Sequence, residues 1–169
     1  MDRNTGGKHT AEPAEGGAFF RASDWTAFLT VFAVAFVAYW CTLAPTVTLE
    51  DSGELVVAAD YLGVPHPPGY PIWTMLAWFF QWVFHFVDYQ GHPNPAWSVG
   101  LMSAFFGALA CGALALLVSR SGADILRSMP RVTERLGLGA ERLMCWSGGV
   151  SAGLLFAFSP VLWSQSVIA

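Results

Sequence analysis

The stretch Trp25–Ala44, WTAFLTVFAVAFVAYWCTLA, contains no Asp, Glu, Lys or Arg. Two later stretches, Trp97–Ser119 and Leu143–Ala169, share this property. Each is as long as the roughly 20 apolar residues that cross a bilayer as a helix. Helices of soluble proteins carry a polar face, and these runs lack the charged positions that such a face uses. The sequence therefore predicts an all-α integral membrane protein with about three transmembrane helices, near residues 25–44, 97–119 and 143–169.

Lysine and arginine are confined to two segments of the chain. Three of them precede the first apolar run, and five arginines separate the second run from the third: Arg3, Lys8 and Arg21, then Arg120, Arg127, Arg131, Arg135 and Arg142. The positive-inside rule places both segments in the cytoplasm. The region between them should therefore begin and end on the same side of the membrane.

These assignments divide the chain into a tail and a membrane domain. Residues 1–20 are polar and are expected to form a disordered cytoplasmic tail. Residues 21–169 form the membrane domain, with an outer loop at 45–96 and a cytoplasmic loop at 120–142. The protein is thus predicted to be a multi-pass membrane protein with a cytoplasmic N-terminus. No basic patch is interleaved with aromatic residues, which argues against nucleic-acid binding.

The outer loop contains two stretches typical of helices at a membrane surface. Residues 71–87 are rich in tryptophan, which favours the bilayer interface, but they include Gln81 and His85. They predict a juxtamembrane helix; a short span, which would put the arginine loop outside, is the alternative. In residues 49–62 apolar side chains recur at helical spacing, which predicts a second juxtamembrane helix. Thr48 is its expected cap.

Acidic residues crowd the start of this second helix. Asp51 and Glu54 are three positions apart and share one helix face, and Glu50 lies about 100° to one side. Acids in a first helical turn also suit the helix macrodipole, so a purely structural role is the alternative. Carboxylates this close repel each other, which tends to raise the proton affinity of at least one. Raised basicity is what a general base needs.

Metal-ligand spacing is missing from this region. His66 lies between two prolines, twelve positions after Glu54, and three cysteines all fall in apolar runs. One Asp-x-x-Glu pair and one distant histidine do not form a recognised ligand set. We predict no metal site and no cofactor, although a divalent metal stays open.

The order of these motifs resembles that of a known family. The first span is followed by Ala44–Thr48 (APTVT), then by Asp51–Glu54 (DSGE), and then by Leu62–Pro71 (LGVPHPPGYP). The segments SAFFG at 103–107 and FSPVLWSQ at 158–165 are similar to further family landmarks. The pattern resembles the N-terminal portion of a bacterial protein O-mannosyltransferase-like family related to animal transmembrane protein 260. It is more distantly similar to GT-C-type glycosyltransferases.

The resemblance implies a membrane glycosyltransferase. Such an enzyme transfers a sugar, here mannose, from a polyprenyl-phosphate donor to a protein hydroxyl or another acceptor on the outer face, with inversion. Asp51 matches the family's acidic position and is implied as the catalytic base, with Glu54 as its helper. The implied substrate-binding residues are Glu50, His66, Pro67, Pro68, Gly69 and Tyr70. The implied partners are membrane lipid, the lipid-linked donor and a protein or glycan acceptor, and the implied location is a bacterial inner membrane.

Two features depart from the family pattern. Family members have more spans, and the third apolar run ends without a polar flank, so we expect an N-terminal fragment completed by a C-terminal part or a partner subunit. No cation lies between Arg21 and Arg120, although a phosphate leaving group needs a positive partner. A non-catalytic membrane subunit and a transporter fragment are the alternatives. A transporter would place its acids nearer the bilayer midplane.

Overall fold

The computed structural model describes residues 19–48 and 51–168. In chain order its elements are α1 (Ala22–Cys41), α2 (Ser52–Asp60), α3 (Pro71–Val83), β1 (Asp88–Tyr89), β2 (His92–Pro93), α4 (Pro95–Arg127), α5 (Pro130–Ala157) and α6 (Pro160–Ser166). Residues 1–18, which make up most of the predicted tail, lie outside the described residues, as does Glu50.

Helices α1, α4 and α5 pack together through small side chains. The buried residues of α1 recur every four positions, and those of α4 and α5 are mostly alanine: Ala27, Val31, Ala35, Tyr39, Ala104, Ala108, Cys111, Ala115 and Ala157. Small residues let helix backbones approach closely, which is how helices associate in lipid. The Tyr39 hydroxyl donates a 2.8 Å hydrogen bond to the Ala157 carbonyl, so α1 is also tied to the end of α5. The predicted all-α fold is confirmed.

Two helices, α1 and α4, are each long and apolar enough to cross a membrane. A third span is possible only as a bent pair, Leu136–Ala157 and Pro160–Ser166, which meet at 67°. The apolar run at 143–169 therefore contains two helices that meet at an angle, and its crossing of the membrane as one span stays a prediction. Pro160 has no N–H to donate and its ring clashes with the preceding turn, so α5 ends before it and α6 begins with it.

The predicted cytoplasmic loop at 120–142 is largely helical. Helix α4 continues to Arg127 and α5 begins at Pro130, so two residues connect them. Helix α5 breaks once, at Gly137, whose φ of 67° lies in the left-handed region that favours glycine.

Polar side chains tie the three long helices together at one end of the bundle. Arg21 contacts Asp24 at 3.1 Å and Glu141 at 3.3 Å, and the Ser119 hydroxyl donates to Asp24 at 2.6 Å. Asp24, at the third helical position, also accepts the backbone N–H of Arg21, which is the N-cap residue of the helix. We call Arg21, Asp24, Ser119 and Glu141 the helix-end clamp. It places the start of α1 beside residue 119 of α4, so these two helices are antiparallel.

Removing the Ser119 hydroxyl is expected to destabilise the bundle. Asp24 and Ser119 are both fully buried, so alanine at position 119 removes one of the two donors to a buried carboxylate oxygen and leaves only Arg21. We expect a loss of about 1–3 kcal/mol in the free energy of unfolding, measured by thermal unfolding in detergent. Ser121→Ala is the matched control because Ser121 is exposed. Equal melting temperatures for the two variants would contradict the clamp.

Helices α2 and α3 pack on the opposite end of α4. Their shared core consists of Val56, Ala59, Ala77, Ala96, Val99 and Met102, covered by Trp73 and Phe80. Helix α2 is shorter than the predicted 49–62, and Thr48 does not cap it. Instead the Ser52 hydroxyl accepts the Thr48 N–H and donates to the Thr48 carbonyl, which leaves Asp51 at the N-cap position.

Helix α3 is also shorter than its predicted 71–87. It spans 13 residues, about 20 Å, which is less than the roughly 30 Å hydrocarbon core of a bilayer. Its outer face exposes large apolar side chains, with Ile72, Met75 and Trp82 each more than half exposed. Residues 84–86 form a turn in place of the predicted end of the helix, and a hairpin follows, in which Asp88 pairs with Pro93 and Tyr89 with His92. The face suits the predicted juxtamembrane position, which stays a prediction.

Candidate functional site

The carboxylate of Asp51 lies exposed at the start of α2. Asp51 occupies the N-cap position, but its side chain makes no capping hydrogen bond, and the residue is exposed. An N-cap aspartate usually accepts a backbone N–H from the first turn. Because this carboxylate is not used in that way, it is available to a substrate hydroxyl.

Glu54 holds the proline-rich loop that follows α2. One of its carboxylate oxygens accepts the backbone N–H of His66 at 2.6 Å, and the other lies 3.3 Å from His66 Nδ1. The loop is also closed on itself, since the Gly69 N–H donates to the His66 carbonyl at 2.9 Å. The structure thus brings together Glu54 and His66, to which the family resemblance gives separate roles in catalysis and substrate binding.

The pKa of Glu54 lies below its ordinary value of 4.5. The main cause is the hydrogen bond from the His66 backbone, followed by the one from the His66 ring, because both favour the ionised carboxylate. Repulsion between the neighbouring carboxylates predicts a raised proton affinity for at least one of them, and for Glu54 the direction is the opposite. The lowered pKa favours an ionised Glu54, which suits a side chain that holds the loop and makes it a weaker base.

The same contact fixes the orientation of the His66 ring. When Nδ1 donates to the Glu54 carboxylate, Nε2 of the neutral imidazole carries the free lone pair. The Tyr70 ring stands edge-on to the His66 ring, with the centroids 5.9 Å apart. His66 is 39% exposed at its side chain, so the ring can be reached by a ligand.

The remaining predicted substrate-binding residues divide into two groups. Pro67 and Pro68 are exposed on the loop and are joined by a cis peptide bond. Gly69 and Tyr70 line an apolar cleft of about 530 Å³ against α4, a size typical of ligand sites. Sequence reasoning gives no role to three other residues of this cleft, Trp73, Met102 and Phe106, because only tertiary packing brings α3 and α4 together here. Glu50 lies outside the described residues.

The end of the molecule that contains α2 carries acidic residues and no lysine or arginine from the segment 22–119. Within residues 19–48 and 51–168, no three His, Cys, Asp or Glu side chains cluster as a metal site. The sequence between Arg21 and Arg120 contains no lysine or arginine, while Asp51, Glu54 and Asp60 all lie on or beside α2. A phosphate group bound here would need a positive partner from elsewhere.

Acid is expected to release the loop from Glu54. Because the folded-state pKa of Glu54 is lowered, the stabilisation from its hydrogen bonds to the loop is fully present above the ordinary pKa. It is lost as the pH falls through the lowered pKa. Hydrogen exchange of the segment 64–70, corrected for intrinsic rates, should show protection that declines over this range. In Glu54→Gln the side chain at position 54 is uncharged, so the corrected protection of residues 64–70 should not change over this pH range. An identical pH profile in both proteins would contradict this role.

Comparison with known proteins identifies the family. A family model described as the Protein O-mannosyl-transferase TMEM260 N-terminal domain matches residues 51–169, a range that begins at Asp51 and includes Glu54 and His66. The chain is 32% identical over 158 residues to Protein O-mannosyl-transferase TMEM260 of Mus musculus, which covers 93% of this chain and 18% of that protein. It is 27% identical over 147 residues to the tmem260 protein of the same description from Dictyostelium discoideum, covering 87% of this chain and 15% of that protein.

These matches bear out the family resemblance of the sequence motifs. No solved structure matches the chain. The chain spans less than a fifth of the length of these two curated relatives. Both relatives are eukaryotic, so a bacterial source stays an expectation. Because the family model covers more than half of the sequence, this chain belongs to the family of the TMEM260 N-terminal domain.

Proposed function

We propose that the chain is the N-terminal portion of a membrane glycosyltransferase that transfers mannose from a polyprenyl-phosphate donor to a hydroxyl of a protein acceptor. The observation that carries this proposal is the carboxylate of Asp51, which makes no capping hydrogen bond to α2 and lies beside the loop held by Glu54. The names of the two relatives, both protein O-mannosyl-transferases, support the sugar and the class of acceptor. GT-C-type architecture and the outer face are part of the same proposal.

In this mechanism Asp51 acts on the acceptor. Its carboxylate removes the proton from the acceptor hydroxyl as the oxygen attacks the anomeric carbon of the sugar. The bond between that carbon and the phosphate oxygen breaks, and the polyprenyl phosphate leaves with the bonding electrons. One displacement inverts the anomeric configuration. Glu54 positions His66, whose Nε2 is free to hydrogen-bond a sugar or acceptor hydroxyl.

The donor would lie along α3 and the apolar cleft. Exposed aromatic side chains of α3, such as Trp82, suit the headgroup region of a bilayer. The cleft between Tyr70 and Phe106 is apolar enough for the isoprenoid part of the donor. The positive charge that the phosphate needs would come from outside residues 22–119: another part of the protein, a partner subunit or a divalent metal.

The alternatives are a non-catalytic membrane subunit and a transporter fragment. A transporter would hold its acids inside the bundle near the bilayer midplane, whereas Asp51 and Glu54 are exposed beyond the end of α1. A non-catalytic subunit would use the same loop to bind lipid or a partner. It would not carry out chemistry.

Transfer from a defined donor tests the proposal. The complete protein in proteoliposomes would be given radiolabelled polyprenyl-phosphate mannose and a polypeptide that contains serine and threonine. We expect label on the polypeptide that mild alkali releases, and no label on a version in which alanine replaces those residues. An absence of transfer under conditions where the protein is folded would favour the non-catalytic subunit.

A further inference from the structure

A second, polar cavity lies at the far end of α2 from Asp51. It has a volume of about 160 Å³ and is enclosed by the ends of α2 and α3, the segment after the hairpin, and the start of α4. Asp60, on its edge, lies six residues after Glu54, or about 9 Å along the axis of α2. The cavity is smaller than the 300–1,000 Å³ of a drug-sized site, so it holds at most a small molecule.

Two buried side-chain oxygen atoms at this cavity have no hydrogen-bond partner among the described residues. Ser98 Oγ is one and Gln81 Oε1 is the other, and the two residues are 1% and 7% exposed. The Gln81 amide is oriented by its Nε2, which donates to the Val56 carbonyl at 3.2 Å. Its Oε1 is thus a free acceptor, while Ser98 Oγ can both donate and accept. A buried polar group left unpaired is costly, so these atoms point to a ligand or to ordered water.

The charges around the cavity select against ions of either sign. The start of the 33-residue helix α4 forms one wall, and its positive dipole end disfavours a cation. Asn94 precedes this helix without capping it, and its Nδ2 donates to the Pro45 carbonyl at 2.6 Å. The carboxylate of Asp60 at the mouth disfavours an anion. A neutral ligand that both donates and accepts hydrogen bonds is compatible with both the start of α4 and the Asp60 carboxylate.

Hydroxyl groups have this double character, and apart from His85 the remaining lining residues are apolar. The Phe84 ring lines the cavity and offers an apolar surface to the carbon face of a ring. His85 stands at the edge with Nδ1 donating to the Trp82 carbonyl, so its Nε2 is a further acceptor. We infer that this cavity is a binding site for a neutral monosaccharide unit, with Ser98, Gln81 and Asp60 hydrogen-bonding its hydroxyls. The inference rests on these unpaired atoms and charges, and the choice of mannose as the unit to test rests on the proposed function.

Ligand binding to the complete protein in nanodiscs tests this site. Methyl mannoside is the probe, read by saturation-transfer NMR and by the rise in melting temperature that a bound ligand causes. Tetrahydropyran, which has the ring but no hydroxyls, should give neither signal. Mannose 1-phosphate should bind more weakly because Asp60 repels it, which separates a neutral sugar from the headgroup of a lipid-phosphate donor.

Two variants and a control make the test specific. Ser98→Ala should weaken methyl mannoside at least about tenfold, without lowering the melting temperature of the free protein, since it removes an unpaired hydroxyl. Asp60→Asn, at an exposed position, should weaken methyl mannoside and improve binding of mannose 1-phosphate. Asp124→Asn removes an exposed acid near the other end of α4 from the cavity and should change neither. No binding by the wild-type protein, or equal binding in Ser98→Ala, would overturn the inference and leave ordered water as the occupant.

Discussion

Replacing Asp51 with asparagine is expected to lower mannose transfer by about 10²- to 10⁴-fold, the range over which a positioned general base acts. Asparagine keeps the size of the side chain but cannot accept the acceptor's proton. Because the Asp51 side chain caps no backbone N–H, the melting temperature should stay close to that of the wild-type protein. The loss should therefore appear in the turnover rate rather than in stability.

Two further variants show whether this effect belongs to Asp51. Asp88→Asn removes another exposed acid, in strand β1, and should leave transfer unchanged. Glu54→Gln should lower transfer by less than Asp51→Asn, because its amide oxygen can still accept the His66 N–H. Near-normal turnover in Asp51→Asn would remove Asp51 as the base and direct attention to His66 Nε2.

The second large effect is expected at Gly149, where α5 crosses α4. A Cβ there would lie 2.5 Å from the Ala115 carbonyl oxygen and 3.0 Å from Ser119 Cβ, and both belong to the neighbouring helix. Leucine at this position therefore cannot fit unless α4 and α5 separate. Overpacking of a tight core lowers the free energy of unfolding by about 1–3 kcal/mol. For a whole leucine side chain at a helix crossing we expect a loss at the upper end of this range or above it.

The adjacent glycine provides a matched control. A Cβ at Gly148 would meet nothing within 4 Å, and the residue is exposed. Gly148→Leu should therefore fold normally, whereas Gly149→Leu should lower the melting temperature strongly or fail to accumulate as folded protein. Similar melting temperatures for the two variants would show that α4 and α5 do not pack as described.

The packing of the bundle is largely predictable from the sequence. The uncharged runs mark α1 and α4 because a bilayer-length apolar helix leaves few alternatives. The small-residue spacing of Gly149 and Gly153 predicts a close helix crossing, and a Cβ at Gly153 would indeed lie 2.8 Å from Val31. The break before Pro160 escapes the hydropathy pattern, although proline is a known helix breaker, because the apolar composition continues unchanged past it.

The candidate site is only partly predictable. The acids and His66 stand out because charged groups beside an apolar span are conspicuous. The contact between Glu54 and His66 could not be predicted, because it depends on how the loop of residues 61–70 folds back onto α2. The hairpin at 88–93 does carry a signal: Gln90 and Gly91 both adopt positive φ, and a glycine in a two-residue turn favours such hairpins. The free acceptors of Gln81 and Ser98 follow from tertiary contacts alone.

The central claim is tested most directly by finding whether Asp51 lies on the side of the membrane from which the acceptor is supplied. In sealed vesicles, acceptor polypeptide would be supplied on the outside only, and orientation would be read with an impermeant thiol reagent on His92→Cys and Ser121→Cys variants in a background without the native cysteines. His92 and Ser121 are exposed near opposite ends of α4. We predict transfer only in vesicles where the variant at position 92 is labelled. Transfer in vesicles where position 121 is labelled instead would contradict the placement of Asp51 on the acceptor side.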